Sequence, residues 1–129
     1  MSAYVDTNIL IRHITRDHDD PARQATDLLH GPRRLLLEPL VLLETAFVLG
    51  GPYGYTRERI VRCLLDVLTL PAIVADTHLL STALALHVEH RIELPDAVLA
   101  ATALLDGPPV VASFDRGLDR VPGLERLAP

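Results

Sequence analysis

Short apolar runs alternate along this chain with segments of helical spacing. Residues 3–5, 35–37, 73–75 and 110–112 are such runs, and 124–127 reads as a short fifth strand at an edge. After the first, Ile9, Leu10, His13 and Ile14 follow at helical spacing. Elsewhere Ala22, Ala25, Leu28 and Leu29 line one helical face, and Ile60, Leu64, Val67 and Leu68 line another. Parallel strands need long crossovers, usually helices, so this alternation predicts an α/β chain. The expected architecture is a three-layer α/β/α sandwich around a central, mainly parallel sheet of four or five strands. Right-handed crossovers gather the strand ends at one rim, and ligands of open α/β sheets bind there.

The boundaries follow from local signals. Tyr4 and Val5 read as a buried strand, and Thr7 to Thr15 as the first helix. Asp20-Pro21 opens a second helix that stops at Gly31-Pro32, because Pro suits the first helical position. Pro39 opens a third over 40–49, Thr56 caps a fourth to Leu68, and Asp76 or Thr77 caps a fifth to about Glu89. Pro95 opens a sixth through Leu105. A length of 129 residues predicts one domain, 1–129. With 49% apolar and only 4% aromatic residues, its core must be built from Leu, Val, Ile and Ala. Cys63, the lone cysteine, reads as a core thiol.

A net charge of −5 offers no basic field for nucleic acid, although a cluster of site acids would lower the charge by itself. All 12 basic residues are Arg, a side chain suited to phosphate. The greasiest stretch, 35–49, is broken by Glu38, Pro39 and Glu44, so no membrane span is expected. With no secretory leader pattern at Met1, a soluble, cytoplasmic protein is expected.

Four acids stand out. Asp6 ends the first apolar run, where it can cap the next helix or seed a site. Glu44 lies in a helix apolar nearly all round, which reads as buried, and a buried carboxylate must be paired, protonated or metal-bound. Asp96 follows Pro95 in a first helical turn, where an acid also complements the helix dipole. Asp115 repeats the Asp6 arrangement after Val110-Val111-Ala112, with Ser113 able to bond a carboxylate or to satisfy backbone. Asp76 reads as an ordinary cap. Asp17, Asp19 and Asp20 lack the spacing and closing Glu of a calcium loop. The six His residues form no zinc set and read as surface or partly buried.

Three acids at strand ends or helix starts and one in an apolar helix exceed what independent capping predicts. Gathered together they would repel unless hard divalent cations neutralised them, and such a site suits phosphodiester hydrolysis. The ordered set Tyr4-Val5-Asp6-Thr7-Asn8-Ile9-Leu10, Leu43-Glu44, Leu94-Pro95-Asp96-Ala97 and Ser113-Phe114-Asp115-Arg116 resembles a PIN-domain ribonuclease. Within that group it is similar to the VapC-type toxins of VapBC toxin–antitoxin systems.

The resemblance implies an endoribonuclease dependent on Mg2+, with Mn2+ as substitute, whose acidic site is Asp6, Glu44, Asp96 and Asp115. Asp6 and Asp96 would be the central metal ligands. Glu44 would ligate metal or orient the attacking water, and Asp115 would complete a second metal position or bind through water. Thr7, Asn8 and Ser113 would support them. It also implies an RNA substrate, a homodimer and a small VapB-like antitoxin. One departure is Gly117, where many relatives carry another acid; Asp119 lies further on. Arg12, Arg16, Arg33, Arg34, Arg57, Arg59, Arg116 and Arg120 are candidate phosphate contacts. The alternatives are a PIN-fold RNA-processing nuclease and a non-catalytic PIN-like binding protein. Phosphatase and receiver readings lack their Lys, and Asn8 stands where a haloacid-dehalogenase-type phosphatase has a second Asp.

Overall fold

Ser2–Tyr4 (β1), Arg34–Leu36 (β2) and Ile73–Val74 (β3) run parallel in one sheet with β2 in the middle. Ala3 stands opposite Leu35, and Leu35 opposite Ile73. The ladder continues past the strand ends through Val5 N–H to the Leu36 carbonyl at 3.0 Å and Leu37 N–H to the Val74 carbonyl at 2.9 Å. These strands are part of a computed structural model that describes residues 1–129. The chain divides into two compact units, Met1–Ala75 and Asp76–Pro129.

The first unit adds four helices: Thr7–Thr15 (α1), Asp19–Leu29 (α2), Pro39–Gly50 (α3) and Arg57–Leu68 (α4). Their inward faces bury Leu10, Leu29, Leu42, Leu49 and Leu64 completely. Thr56 caps α4 as its sequence predicts, its hydroxyl accepting from Arg59 N–H at 3.2 Å. The second helix starts one residue before Asp20 and is entered from His18.

The second unit holds Thr77–Glu89 (α5), Leu94–Asp106 (α6), Val110–Ala112 (β4), a 3-10 turn at Arg116–Arg120 and Glu125–Leu127 (β5). Ala83 of α5 and Ala97, Ala100 and Ala101 of α6 are fully buried, and small side chains let the two helices pack closely. β4 and β5 pair in parallel, Val111 opposite Arg126, with the 3-10 turn as their crossover.

The chain is therefore α/β with parallel strands, as expected. The five strands divide into a three-stranded sheet and a two-stranded ladder, because β4 bonds only β5. Three burial expectations are corrected. Tyr4 is 71% exposed, since β1 is displaced one residue toward the N-terminus and only Val5 of the pair turns inward. Cys63 is only partly buried. His87 is buried, its ring nitrogen bonded to a carbonyl. No helix is long and apolar enough to cross a membrane.

Candidate active site

Each predicted acid is placed by the element it borders. Asp6 is the residue before α1, extended at φ −96° and ψ 157°, and its carboxylate makes no capping bond to the helix. The capping reading of Asp6 therefore fails, and its carboxylate is exposed. Thr7 follows it, buried, with a hydroxyl oxygen that has no hydrogen-bond partner. Such an atom costs free energy unless something pairs with it. Asn8 is exposed on the first turn of α1.

Glu44 differs from its sequence reading. The helix α3 is apolar nearly all round, yet one face stays in solvent: Leu40 is 71% exposed, Phe47 77%, and Glu44 lies between them, also exposed. Positions four and seven apart share a face. Burial therefore does not force a partner on Glu44. The opposite face carries Leu42, Thr45, Ala46 and Leu49 inward.

In the second unit two acids meet. Asp96 lies in the first turn of α6, close enough to Asp115 for that carboxyl to act on its own. Burial first, then Asp115, then Glu93 push the Asp96 carboxyl above the ordinary aspartate range. Asp115 ends the β4 loop, and its Oδ1 accepts from Gly117 N–H at 2.8 Å. Gly117 leaves room for that closeness. A Cβ there would stand 3.0 Å from Asp115 Oδ1 and 3.7 Å from Ile92 Cγ2. An acid at 117 would thus crowd Asp115.

Several supporting residues have no sequence signal that marks them. Arg126 of β5 grips Asp119 through Nε at 2.9 Å and a terminal nitrogen at 3.3 Å, and donates to the Ser113 carbonyl at 3.0 Å. Ser113 takes the backbone role, its hydroxyl accepting from Asp115 N–H at 2.9 Å. His87 Nδ1 lies 2.5 Å from the Ile92 carbonyl, and Arg120 donates to the Arg91 carbonyl at 3.1 Å. A carbonyl only accepts, so His87 Nδ1 carries the proton. These two bonds tie down the turn that leads into α6 and Asp96. Glu93, three residues before Asp96, adds negative charge that spacing did not single out.

Four predicted phosphate contacts are engaged elsewhere. Arg12 pairs with Asp17 at 3.0 Å, Arg16 donates to Thr26, and Arg59 lies 3.7 Å over the Tyr55 ring. Arg120 holds the Arg91 carbonyl. Asp76 is a cap, accepting from Leu79 N–H at 3.1 Å. A cavity of about 260 Å³ in the first unit is lined by His13, His30, Cys63 and Asp66, none of them a predicted site residue.

Within neither unit do three or more His, Cys, Asp or Glu side chains converge to hold a metal. Asp6 and Glu44 belong to one unit, Asp96 and Asp115 to the other. The donor chemistry is all oxygen. Carboxylate oxygens such as those of Asp6, Asp96 and Asp115 suit a hard cation rather than a soft one.

An α/β chain of parallel strands, with acids set at strand ends and helix starts, has the makings of a nuclease fold. The chain belongs to the PIN domain family, whose pattern matches residues 3–124. PIN domains are in general metal-dependent ribonucleases. No curated protein matches the chain.

Proposed function

We propose that the chain is a Mg2+- or Mn2+-dependent endoribonuclease acting as the toxin of a toxin–antitoxin pair. The observation that carries this reading is the Asp96–Asp115 carboxyl pair in a member of the PIN family. Two neighbouring carboxyls, one of them held above the ordinary aspartate range by burial and by the other, are what a cation would relieve. We take residues 1–129 as one functional domain, since the family match runs through both units.

In this reading Asp6 and Asp96 would be the main ligands of the ion, and Asp115 would be a further one. The bound ion supplies positive charge for the scissile phosphate and for activation of the attacking water. Glu44, exposed on α3, orients that water through a hydrogen bond to its carboxylate. The oxygen of water would bond to phosphorus as the bond from phosphorus to the departing ribose oxygen breaks, the proton that the water loses being returned through solvent to that departing oxygen, with no covalent enzyme intermediate. Thr7 and Asn8 support the first ligand, and Ser113 holds the loop that carries Asp115.

A partner is supported by what α3 leaves in solvent. Leu40 and Phe47 are apolar and 71% and 77% exposed on the face that carries Glu44. A small antitoxin laid along that face would cover them and shield the acid, and a second copy of the chain is the other expected partner. Expression without a partner, against expression of Asp6→Asn, tests the reading. Growth arrest with fragmented RNA, absent in the variant, supports a toxin ribonuclease. Healthy growth with intact RNA at high levels of folded protein contradicts it.

A further inference from the structure

The chain has two phenylalanines, and both stand outside the core. Phe114 is the more exposed, at 84%, and it immediately precedes Asp115. Consecutive Cα atoms are about 3.8 Å apart, so the ring stands within one side chain's reach of that carboxylate. Arg116, also exposed, follows on the other side.

The backbone under the ring is held firmly. Ser113 N–H donates to the Leu127 carbonyl at 3.2 Å, and the Ser113 carbonyl accepts from Arg126 at 3.0 Å. Asp115 N–H is held by the Ser113 hydroxyl at 2.9 Å, and its carboxylate by Gly117 N–H. Arg126 is itself fixed by Asp119 and its side chain is only 15% exposed. Both neighbours of Phe114 are therefore pinned while its ring projects into solvent. With the backbone already fixed, only the ring's own rotamer freedom is lost when a ligand covers it.

We infer that Phe114 is a base-stacking residue that seats an unpaired nucleotide beside Asp115, with Arg116 on the adjoining phosphate. The inference rests on the ribonuclease reading of the same site and deepens it. Stacked aromatics seize single-stranded bases because every base has a flat face, whatever its sequence. Paired bases are already stacked and cannot use the ring. The preferred substrate is thus RNA unpaired next to the cut. Phe114 sets position and strand preference, and the carboxylates carry the chemistry.

The chain has no tryptophan, so Phe114→Trp introduces a single fluorescent reporter at the proposed stacking position. In an Asp96→Asn background, which is expected not to cleave, a short mixed-sequence single-stranded RNA is expected to quench it, and the same sequence as a duplex is not. Phe114→Ala is expected to weaken single-strand binding by roughly 5- to 150-fold, the span of base–aromatic stacking on truncation. Phe114→Tyr should retain binding and Phe114→Leu should not. The circular dichroism spectrum of each variant establishes that it is folded.

If the parent protein cleaves RNA and Phe114→Ala binds and cleaves as well as the parent, the stacking role is overturned and the ribonuclease reading stands. The ring is then a contact for a protein partner. Equal rescue by Leu and Tyr overturns stacking in favour of simple apolar contact. If the parent neither binds nor cleaves RNA, both readings fall together.

Discussion

Asp96, in the first turn of a helix, and Asp115, just beyond the end of a strand, are neighbours, and after burial it is the Asp115 carboxyl that raises that of Asp96. Two acids in that position destabilise the fold when both are charged, so a cation or a neutral substitute should stabilise it. Magnesium is expected to stabilise the parent protein by about 2.7 kcal/mol at a hundredfold excess over Kd, and so to raise its melting temperature. Asp96→Asn is expected to melt higher than the metal-free parent and to lose the magnesium response. Calorimetric melting with magnesium or EDTA reads both effects.

Thr7 has a buried hydroxyl with no partner. Thr7→Val keeps the shape and removes the unmet polar group, whose burial costs about 1–3 kcal/mol. The variant is expected to be more stable by about 1 kcal/mol within that range and to cleave more slowly, a trade typical of functional sites. Urea unfolding and initial cleavage rates measured together test this. A variant less stable than its parent would show that the hydroxyl is already satisfied in solution.

Gly117 leaves space that Asp115 uses. In Gly117→Ala the new Cβ would meet Asp115 Oδ1 at 3.0 Å, so the carboxylate must shift. Small displacements of reacting groups are costly, and cleavage is expected to fall roughly tenfold. The melting temperature should change little. Unchanged cleavage would mean that Asp115 acts from another position.

Asp17 gives the acid limit. Tyr53 first, then Thr15 and Arg12, hold its carboxyl down to about 2. Its folded value lies below its unfolded one, so its contribution is complete above the ordinary aspartate range and is lost as pH falls towards 2. Between about pH 4 and pH 2 the parent is expected to lose stability faster than Asp17→Asn. Tyr53→Phe should lie between them. Parallel melting curves of the three proteins across that window decide the point.

The sequence reveals elements better than it reveals surfaces. Thr7–Thr15 is legible because its apolar spacing and the strand before it leave one frame only. Thr56 and Asp76 are legible as caps because a short polar side chain before a periodic run has a local job. Glu44 is misread because an apolar helix looks buried, and no pattern tells that Leu40 and Phe47 stay in solvent. The roles of His87 and Arg126 lie in bonds to backbone carbonyls at Ile92 and Ser113, which leave no trace in residue spacing. The departure at Gly117 is visible in the sequence. Its consequence is spatial: the Asp115 carboxylate lies 3.0 Å from where a side chain at 117 would begin.

The most direct test of the ribonuclease account is cleavage of total cellular RNA by the purified, partner-free protein in magnesium, in manganese and in EDTA. Asp6→Asn and Asp96→Asn are prepared identically. Discrete fragments in either metal, absent in EDTA and from both variants, are the predicted result. Intact RNA in both metals with folded parent protein, or cleavage at parental rate by folded Asp96→Asn, would contradict it.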